Sequence, residues 1–523
     1  MKYRGKILIA LGMWLSVTAP AGAEETADST SAASSRLLSR VMAWESSAGQ
    51  LRMAVARESA GAMFYASPFS LSSAEVKWDY LHRDEALITE EGRGHSYGSA
   101  EAQSYMRLSR NTVVWGDASF RTGMKRDVRR NNAADFDLIG PYVFADSVGG
   151  NLTEQRYRFS GGYSGASKGW TWGAYASYTA YIDYRNRDPR DKIVVSDLKV
   201  NLGGSHLISR GYAVAVGGTL RVYNQESDIE FYNPNNLIRL YAMTGLGGFY
   251  PRFSGNGSGT TAYSGLGMGG SLTLIPMTEK RVEVFASARF MFQPVKQSLR
   301  DFNNLELTRS DNYQVSLQAG VALHAGESVA VTPQIEGNFR RQLGYENIFG
   351  SSVGNSYEKI GTRRNYRHDH VGGALSVPVE VRCSRAVRVD VTPAIDMYYS
   401  HEDTRRPRRV LEATRLTPSL KVAAHWQSAA KLLWSVEAIG SRTFSRANRM
   451  SLPGLDPTTS AGATVLHNFD MLTSDATSVG GELRGLWTFS SSMALNVALS
   501  GCHYTYKGHG GASQASVSAS LIF

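Results

Sequence analysis

From Ala74 to the final residue the chain keeps one rhythm. Ala74, Val76, Trp78 and Tyr80 alternate with Glu75, Lys77 and Asp79. The same period of two returns in Val114, Gly116, Ala118 and Phe120, in Trp170 through Tyr178, in Val282 through Phe290, and in Leu495, Val497 and Leu499. A period of two places one set of side chains on each face of a strand. About 18 such segments of roughly 10 to 14 residues occur, the length a tilted strand needs to cross a bilayer and about twice that of a soluble strand. The polar parity carries Asp117 and Arg121, Arg156 and Arg158, Asp197 and Lys199, Arg388, Asp390 and Asp396, and Glu482 and Arg484. A small soluble barrel fills its interior with aliphatics, since unpaired charge there is costly. A wet interior therefore turns the apolar faces outward, into lipid, where closing the sheet leaves no backbone group unpaired. The fold class expected is all-β: a transmembrane antiparallel up-and-down β-barrel of about 18 strands (16–20) over residues 72–523, with a short N-terminal helical segment.

Connection lengths agree with that reading. Short turns (SRN, SGASK, SRG, PMTEK, HAGE, CSR, QSAA, SSS) alternate with longer connections, notably 224–260, 341–365 and 445–475. This is the asymmetry of periplasmic turns and external loops. Pro333, Pro378, Pro393 and Pro418 fall inside strand segments, three of them in VTPQIE, VTPAID and LTPSLK. Each removes a ladder hydrogen bond, so they mark bulges or a locally open sheet.

The first residues read as a processing signal over 1–23: Lys2, Arg4 and Lys6 precede an apolar run, and Ala21-Gly22-Ala23 offers small residues for cleavage. Residues 24–71 form a separate periplasmic or plugging segment in which Leu37, Leu38, Val41 and Trp44 fall at helical spacing. Beyond the signal no run approaches the roughly 20 apolar residues of a membrane helix. The two cysteines, Cys383 and Cys502, fall on a turn and along a different strand and read as unrelated free thiols. A formal charge of +10, three units of it on the signal, is a mild bias toward anionic partners and not toward nucleic acid, which an exported protein rarely meets.

The chain ends on Val517, Ala519, Leu521 and Phe523, alternating with serines. This ending resembles the signal by which bacterial outer-membrane barrels are presented to the insertion machinery. With the leader and the serial hairpins, the chain resembles the large outer-membrane β-barrels of Bacteroidota, in particular a family of unknown function with a short segment before the barrel. The resemblance implies a bacterial outer-membrane location, with outer-membrane lipid, lipopolysaccharide and the insertion machinery as partners. It implies little about cargo.

For function the polar parity matters most. Lys77, Arg158, Arg221, Arg289 and Arg415, with Glu75, Glu283, Glu336 and Asp390, are expected to face the lumen. They would set a transverse field across an open channel or pair across strands and brace the wall, and mixed signs argue against sharp ion selectivity. Basic clusters (KRDVRR from Lys125, Arg340–Arg341, RRNYRHDH from Arg363, RRPRR from Arg405) fall on the external side, where guanidinium groups suit lipopolysaccharide phosphates or an anionic cargo. His368, His370 and nearby His401 lack further ligands at recognisable spacing, so no metal is expected. No nucleophile elbow or phosphate loop is present, GNGSG at 255–259 included, and neither catalysis nor a cofactor is expected. The aromatic stretch FYNPNNLIRLYAMTGLGGFYPRFSGNGSG either folds into the lumen as a constriction or binds a partner outside. The function expected is a porin-like passive channel for small polar or anionic solutes. Two alternatives stand: a hydrophobic-solute transporter plugged by the SRLLSRVMAW helix, and a non-conducting accessory barrel whose loops work beside another outer-membrane receptor. The roughly 48 residues before the first strand leave no room for the plug domain of a 22-stranded energised receptor.

Overall fold

The computed structural model describes residues 27–523 except 147, 210, 234, 236, 237, 257, 258, 278–280, 327, 355, 385 and 430, and of residues 27–35, 256 and 353 only the backbone. The expected leader, 1–23, lies outside the described residues. Twenty strand segments form one antiparallel sheet that closes on itself; two strands are each split by a proline, so the barrel has 18 strands. Closure is made by the first strand, Leu71–Arg83, pairing on one side with Gly94–Ser109 and on the other with the last strand, Gly511–Ile522. Trp78 sits between Gly98 and Val517 in this register. The terminal Phe523 exchanges both backbone bonds with Ser72 (2.8 and 2.9 Å), which fixes the chain end at the seam.

The alternation resolves into two chemically different faces. Val76, Leu202, Val216, Leu266 and Leu499 are more than half exposed on the outside. Glu75, Lys77 and Asp79, on the opposite parity of the same strand as Val76, turn inward. Trp170, Trp172, Trp426 and Trp487 are exposed near the short turns, and Trp78 and Tyr157 lie toward the other end, as in the aromatic girdles of membrane barrels. No helix is long and apolar enough to cross a membrane. Cys383 and Cys502 are free thiols.

The prolines form a seam across four neighbouring strands. Pro333 separates Val329–Val331 from Gln334–Val353, and Pro378 separates Ser356–Ser376 from Val379–Arg382. Their carbonyls still accept, from Val321 N (3.0 Å) and Thr332 N (2.8 Å), while Pro393 accepts from Val377 N (3.0 Å). Pro393 and Pro418 remain inside continuous strands, opposite Leu420 and Ile395. The ladder thus loses donors along one diagonal but keeps its acceptors.

Two of the expected external loops are corrected in part. The segment 341–365 is a continuation of the hairpin formed by Gln334–Val353 and Ser356–Ser376, paired as far as Val353 and Ser356. Phe349 and Tyr357, from its two arms, pack against Phe253 and Phe302, and this aromatic burial pays for extending a charged hairpin. Residues 445–475 hold the end of strand Leu432–Ser451 and a helix, Ser460–Thr473, capped by Thr459, whose Oγ1 accepts from Gly462 N (3.1 Å).

Candidate functional site

The lumen is shaped by segments inserted from both ends. At the short-turn end enter α1 (Ala27–Glu45), α2 (Ser47–Ala56) and a 3₁₀ turn, Ala62–Tyr65. The spacing of Leu37, Leu38 and Val41 makes one apolar stripe on α1, and that stripe buries against Leu433, Leu486, Ala494 and Ile522 of the barrel wall. Ser46 caps α2, its Oγ accepting from Gly49 N at 3.1 Å. Leu51, Met53 and Val55 of α2 then pack with Met63 and Tyr65 against Val113, Ala213, Ile275, Phe285 and Ala322, wall residues close to the short turns. The interior here is a small apolar core, not water.

Polar contacts fix the segment's height. Arg52 pairs with the buried Glu283 (2.8 Å) and donates to Pro276 O (2.7 Å). Ser47 N donates to Glu380 (2.6 Å), Arg484 pairs with Glu45 (2.5 Å), and Arg289 with Glu58 (3.4 Å). Tyr105 Oη donates to Met63 O (2.9 Å).

The tightest approach is backbone on backbone. Ser164, Gly173, Gly203, Gly217 and Ser271 are register partners in turn across five adjacent strands, a row of minimal side chains on the inner wall. The turn Glu58–Gly61 lies in this groove. Ser59 Oγ donates to Val216 O (3.1 Å), Ala60 N to Asn201 Oδ1 (2.8 Å), Ser271 Oγ to Glu58 O (2.6 Å) and Thr171 Oγ1 to Gly61 O (2.8 Å). A Cβ on Gly61 would meet Gly204 Cα at 2.8 Å, and one on Gly203 would meet Ser59 Oγ at 2.2 Å.

At the long-loop end the segment 129–149 turns into the barrel. Ala133, Ile139 and Val143 bury against Tyr181, Ile193, Val195, Tyr223 and Tyr263 of the wall. Its short strand Phe144–Ala145 extends a hairpin, Arg239–Gly245 with Gly248–Asn256. Of the aromatic stretch, the strands Arg239–Gly245 and Gly248–Asn256 thus lie at the long-loop end, where Leu240 and Phe253 pack on Ile229, Leu299 and Leu307. Tyr142 lies where Gly344 leaves room, since a Cβ there would approach its Oη to 2.1 Å. The helix Ser460–Thr473 closes the rim: Asn468 accepts from Thr89 N (2.9 Å) and donates to Glu90 (2.7 Å), and Arg130 donates to Ser460 Oγ (3.0 Å). Burial pushes the Glu90 carboxyl above its ordinary pKa, with the Asn468 bond and the Arg130 charge offsetting part of the rise.

Between these inserts lie polar chambers. One, of about 420 Å³, is bordered by Arg57, Glu101, Trp115, Asp117, Tyr175 and Asn201. Trp115 and Tyr175 stack (6.4 Å, 9° between planes), forming one wall. Arg57 and Glu101 have no ion-pair partner among the described residues. A second, of about 460 Å³, is bordered by Glu58, Gln318, Glu336, His370 and Tyr398. The inserted turn thus presents Arg57 to one chamber and Glu58 to the other.

The nine charges singled out from sequence are distributed as follows. Arg158 pairs with Asp117 (2.9 Å), Arg221 binds Asp197 through two nitrogens (2.9 and 3.0 Å), Asp390 meets Arg388 (2.8 Å) and His425 (3.0 Å), and Glu336 accepts from Gln318 (2.9 Å). Arg289 and Glu283 reach the inserted segment. Glu75 and Lys77 line the first strand opposite Glu101 and Ser99, and Arg415 lies opposite Tyr398. Of the terminal residues, Val517 is register partner to Trp78, Ala519 to Val76 and Leu521 to Ala74. His368 and His370 turn inward, to Ser400 (2.9 Å) and the Tyr398 ring, whereas His401 faces outward between Asp403 and Glu412. The histidines do not share a site. Among the described residues no group of three or more metal-binding side chains converges. Sequence reasoning missed Arg57, Trp115 and the glycine row; the aligned small residues at equal height on neighbouring strands were a signal visible only once register was known.

Comparison with known proteins gives structural likeness at low identity. A mutant of the ferric enterobactin receptor of Pseudomonas aeruginosa matches at 10% identity and TM-score 0.38, over 87% of this chain and 81% of that one. The copper transporter OprC matches at 7% and 0.39 over 87% and 81%, and the ferric-catecholate import receptor Fiu of E. coli K12 at 6% and 0.37 over 87% and 82%. No curated protein matches. A family profile matches residues 59–523, the whole barrel together with Ser59–Gly61 of the turn seated in the glycine groove, and the chain belongs to that family, DUF6850, a family of unknown function.

Proposed function

We propose that the protein is a gated barrel of the bacterial outer membrane that admits small polar or anionic solutes, with residues 44–70 as its removable plug. The observation that carries this reading is the turn Glu58–Gly61, held in the glycine groove by four hydrogen bonds between polar chambers. The Arg289–Glu58 pair opens on a polar chamber and can be exchanged for water on release, whereas the buried Arg52–Glu283 pair holds the segment docked. Arg57 and Glu101, which have no ion-pair partner among the described residues, fit with the Trp115–Tyr175 wall a small charged or zwitterionic solute with one flat face. The exposed apolar belt supports the membrane location, with the short turns periplasmic.

Planar-bilayer conductance tests it. The intact protein should be quiet, and a variant lacking residues 24–70 should conduct. Steady conductance by the intact protein would return the reading to a passive open channel. Silence of both forms would favour the second reading, an accessory barrel whose loops bind another receptor, which the filled long-loop mouth also supports.

A further inference from the structure

The outer wall carries a cationic groove that the lumen does not explain. On the strand Val387–Arg405 the exposed outward residues Ile395 and Met397 are continued, two residues at a time, by Tyr399, His401, Asp403 and Arg405. On the next strand, Arg408–Ala429, outward Trp426, Val422, Leu420 and Leu416 are continued by Thr414, Glu412, Val410 and Arg408. Register places His401 opposite Glu412, Arg405 opposite Arg408, and Glu412 opposite Arg449 of the following strand.

Height follows from the strand rise. Trp426 to Leu416 is ten residues, about 25 Å along the axis at ~3.3 Å per residue and a tilt of ~40°, which equals the apolar band of a membrane barrel. Arg449 then stands about 10 Å above the upper edge of that band, at the outer limit of the headgroup layer, and the Arg405–Arg408 turn about 20 Å above it, beyond that layer at the height of a glycolipid's sugars.

The charges there are unbalanced. His401 meets Glu412 through Nδ1 (3.0 Å) and Asp403 through Nε2 (3.1 Å), so three guanidinium groups stand there against two carboxylates that already have a partner. Arg405, Arg408 and Arg449 have no ion-pair or side-chain hydrogen-bond partner among the described residues, and they border a groove of about 310 Å³. Three other outer-wall arginines are neutralised: Arg341 binds Asp369 through two nitrogens (2.8 and 2.9 Å), Arg367 also meets Asp369, and Arg309 binds Asp311 (2.9 Å). Nearby Arg442 lies over the Phe444 ring (5.2 Å), a cation held at the top of the apolar band.

We propose that this groove binds the phosphorylated sugar headgroup of an outer-leaflet glycolipid. Three guanidinium groups can chelate phosphate oxygens in pairs, while the lipid's acyl chains lie on the Leu416–Val422 face, whose upper edge is about 10 Å below Arg449. The site is independent of the plug and fixes the barrel's rotation relative to its lipid annulus.

The test is native mass spectrometry of the full-length barrel in detergent with added phosphorylated lipid A or its dephosphorylated form. The intact protein should retain the phosphorylated glycolipid, and the triple variant R405Q/R408Q/R449Q should lose at least tenfold of that adduct. A control variant, R341Q/R367Q, should keep it, and all three proteins should show the same heat-modifiable gel mobility of a folded barrel. Equal retention by the triple variant, equal binding of the dephosphorylated lipid, or equal loss in the control would overturn the assignment. Displacement by millimolar inorganic phosphate would assign the groove to free phosphate and overturn it as a lipid site.

Discussion

Consider Gly203→Val, placed at the centre of the groove that receives the plug. A Cβ at this position would lie 2.2 Å from Ser59 Oγ and 3.1 Å from the backbone nitrogens of Ala60 and Gly61, and valine adds two methyl groups beyond it. The serine hydroxyl can rotate away, but the backbone nitrogens cannot, so the turn must lift from the wall. Overpacking of this kind costs about 1–3 kcal/mol. Lifting also forfeits up to three bonds (Ser59 to Val216, Ala60 to Asn201, Thr171 to Gly61), each about 0.5–1.5 kcal/mol net. With all three bonds lost the docked state should lose roughly 2.5–7.5 kcal/mol, a shift of about 60-fold or more in the docking equilibrium at 1.4 kcal/mol per tenfold. Gly218→Val is the control, because a Cβ there would meet only Leu202 O, at 4.0 Å. Protease sensitivity of residues 44–70 and bilayer conductance should both rise for Gly203→Val and stay at the wild-type level for Gly218→Val, with the barrel folded in each. Equal protection of the plug in all three proteins would refute the groove as its seat.

Two further predictions concern the plug and the mouth. Arg52→Leu removes one charge-assisted bond to the buried Glu283 and should weaken plug docking by about 1.5–3 kcal/mol, and by less in a Glu283→Gln background; limited proteolysis of the four proteins reads the cycle. Glu90 has a raised pKa when the rim is closed, so the closed state binds the proton more tightly than an opened rim does. The resulting penalty is absent below the ordinary carboxyl range and complete above the raised value, so closure weakens as pH rises between them. Hydrogen exchange of residues 84–93 and 460–473 should accelerate more from pH 5 to pH 8 in the wild type than in Glu90→Gln, after correction for the intrinsic pH dependence of exchange. An identical acceleration would remove Glu90 from the closure.

Much of the architecture was legible because a membrane barrel imposes its chemistry on every strand. Val76 must meet lipid and Lys77 must not, so the period of two survives in the sequence as a direct record of the two solvents. The short turns, the apolar stripe of α1 and the closing strand at Phe523 follow from equally local signals. The extension of 341–365 as a hairpin was not legible, because Phe349 and Tyr357 gain their burial from Phe253 and Phe302, far away in the chain.

What occupies the lumen was decided only by tertiary structure. Gly173, Gly203 and Gly217 are ordinary strand glycines until register sets them side by side, and only then do they make a groove that a backbone can enter. Charges such as Arg289 and Glu283, expected to set a field across the lumen or to pair across strands, instead meet Glu58 and Arg52 of the inserted segment. The sequence by itself determined which face of the wall meets lipid, since that depends on each residue and its neighbours two positions away. It could not determine what lies inside, since a cavity and its plug are defined by distances between segments more than a hundred residues apart.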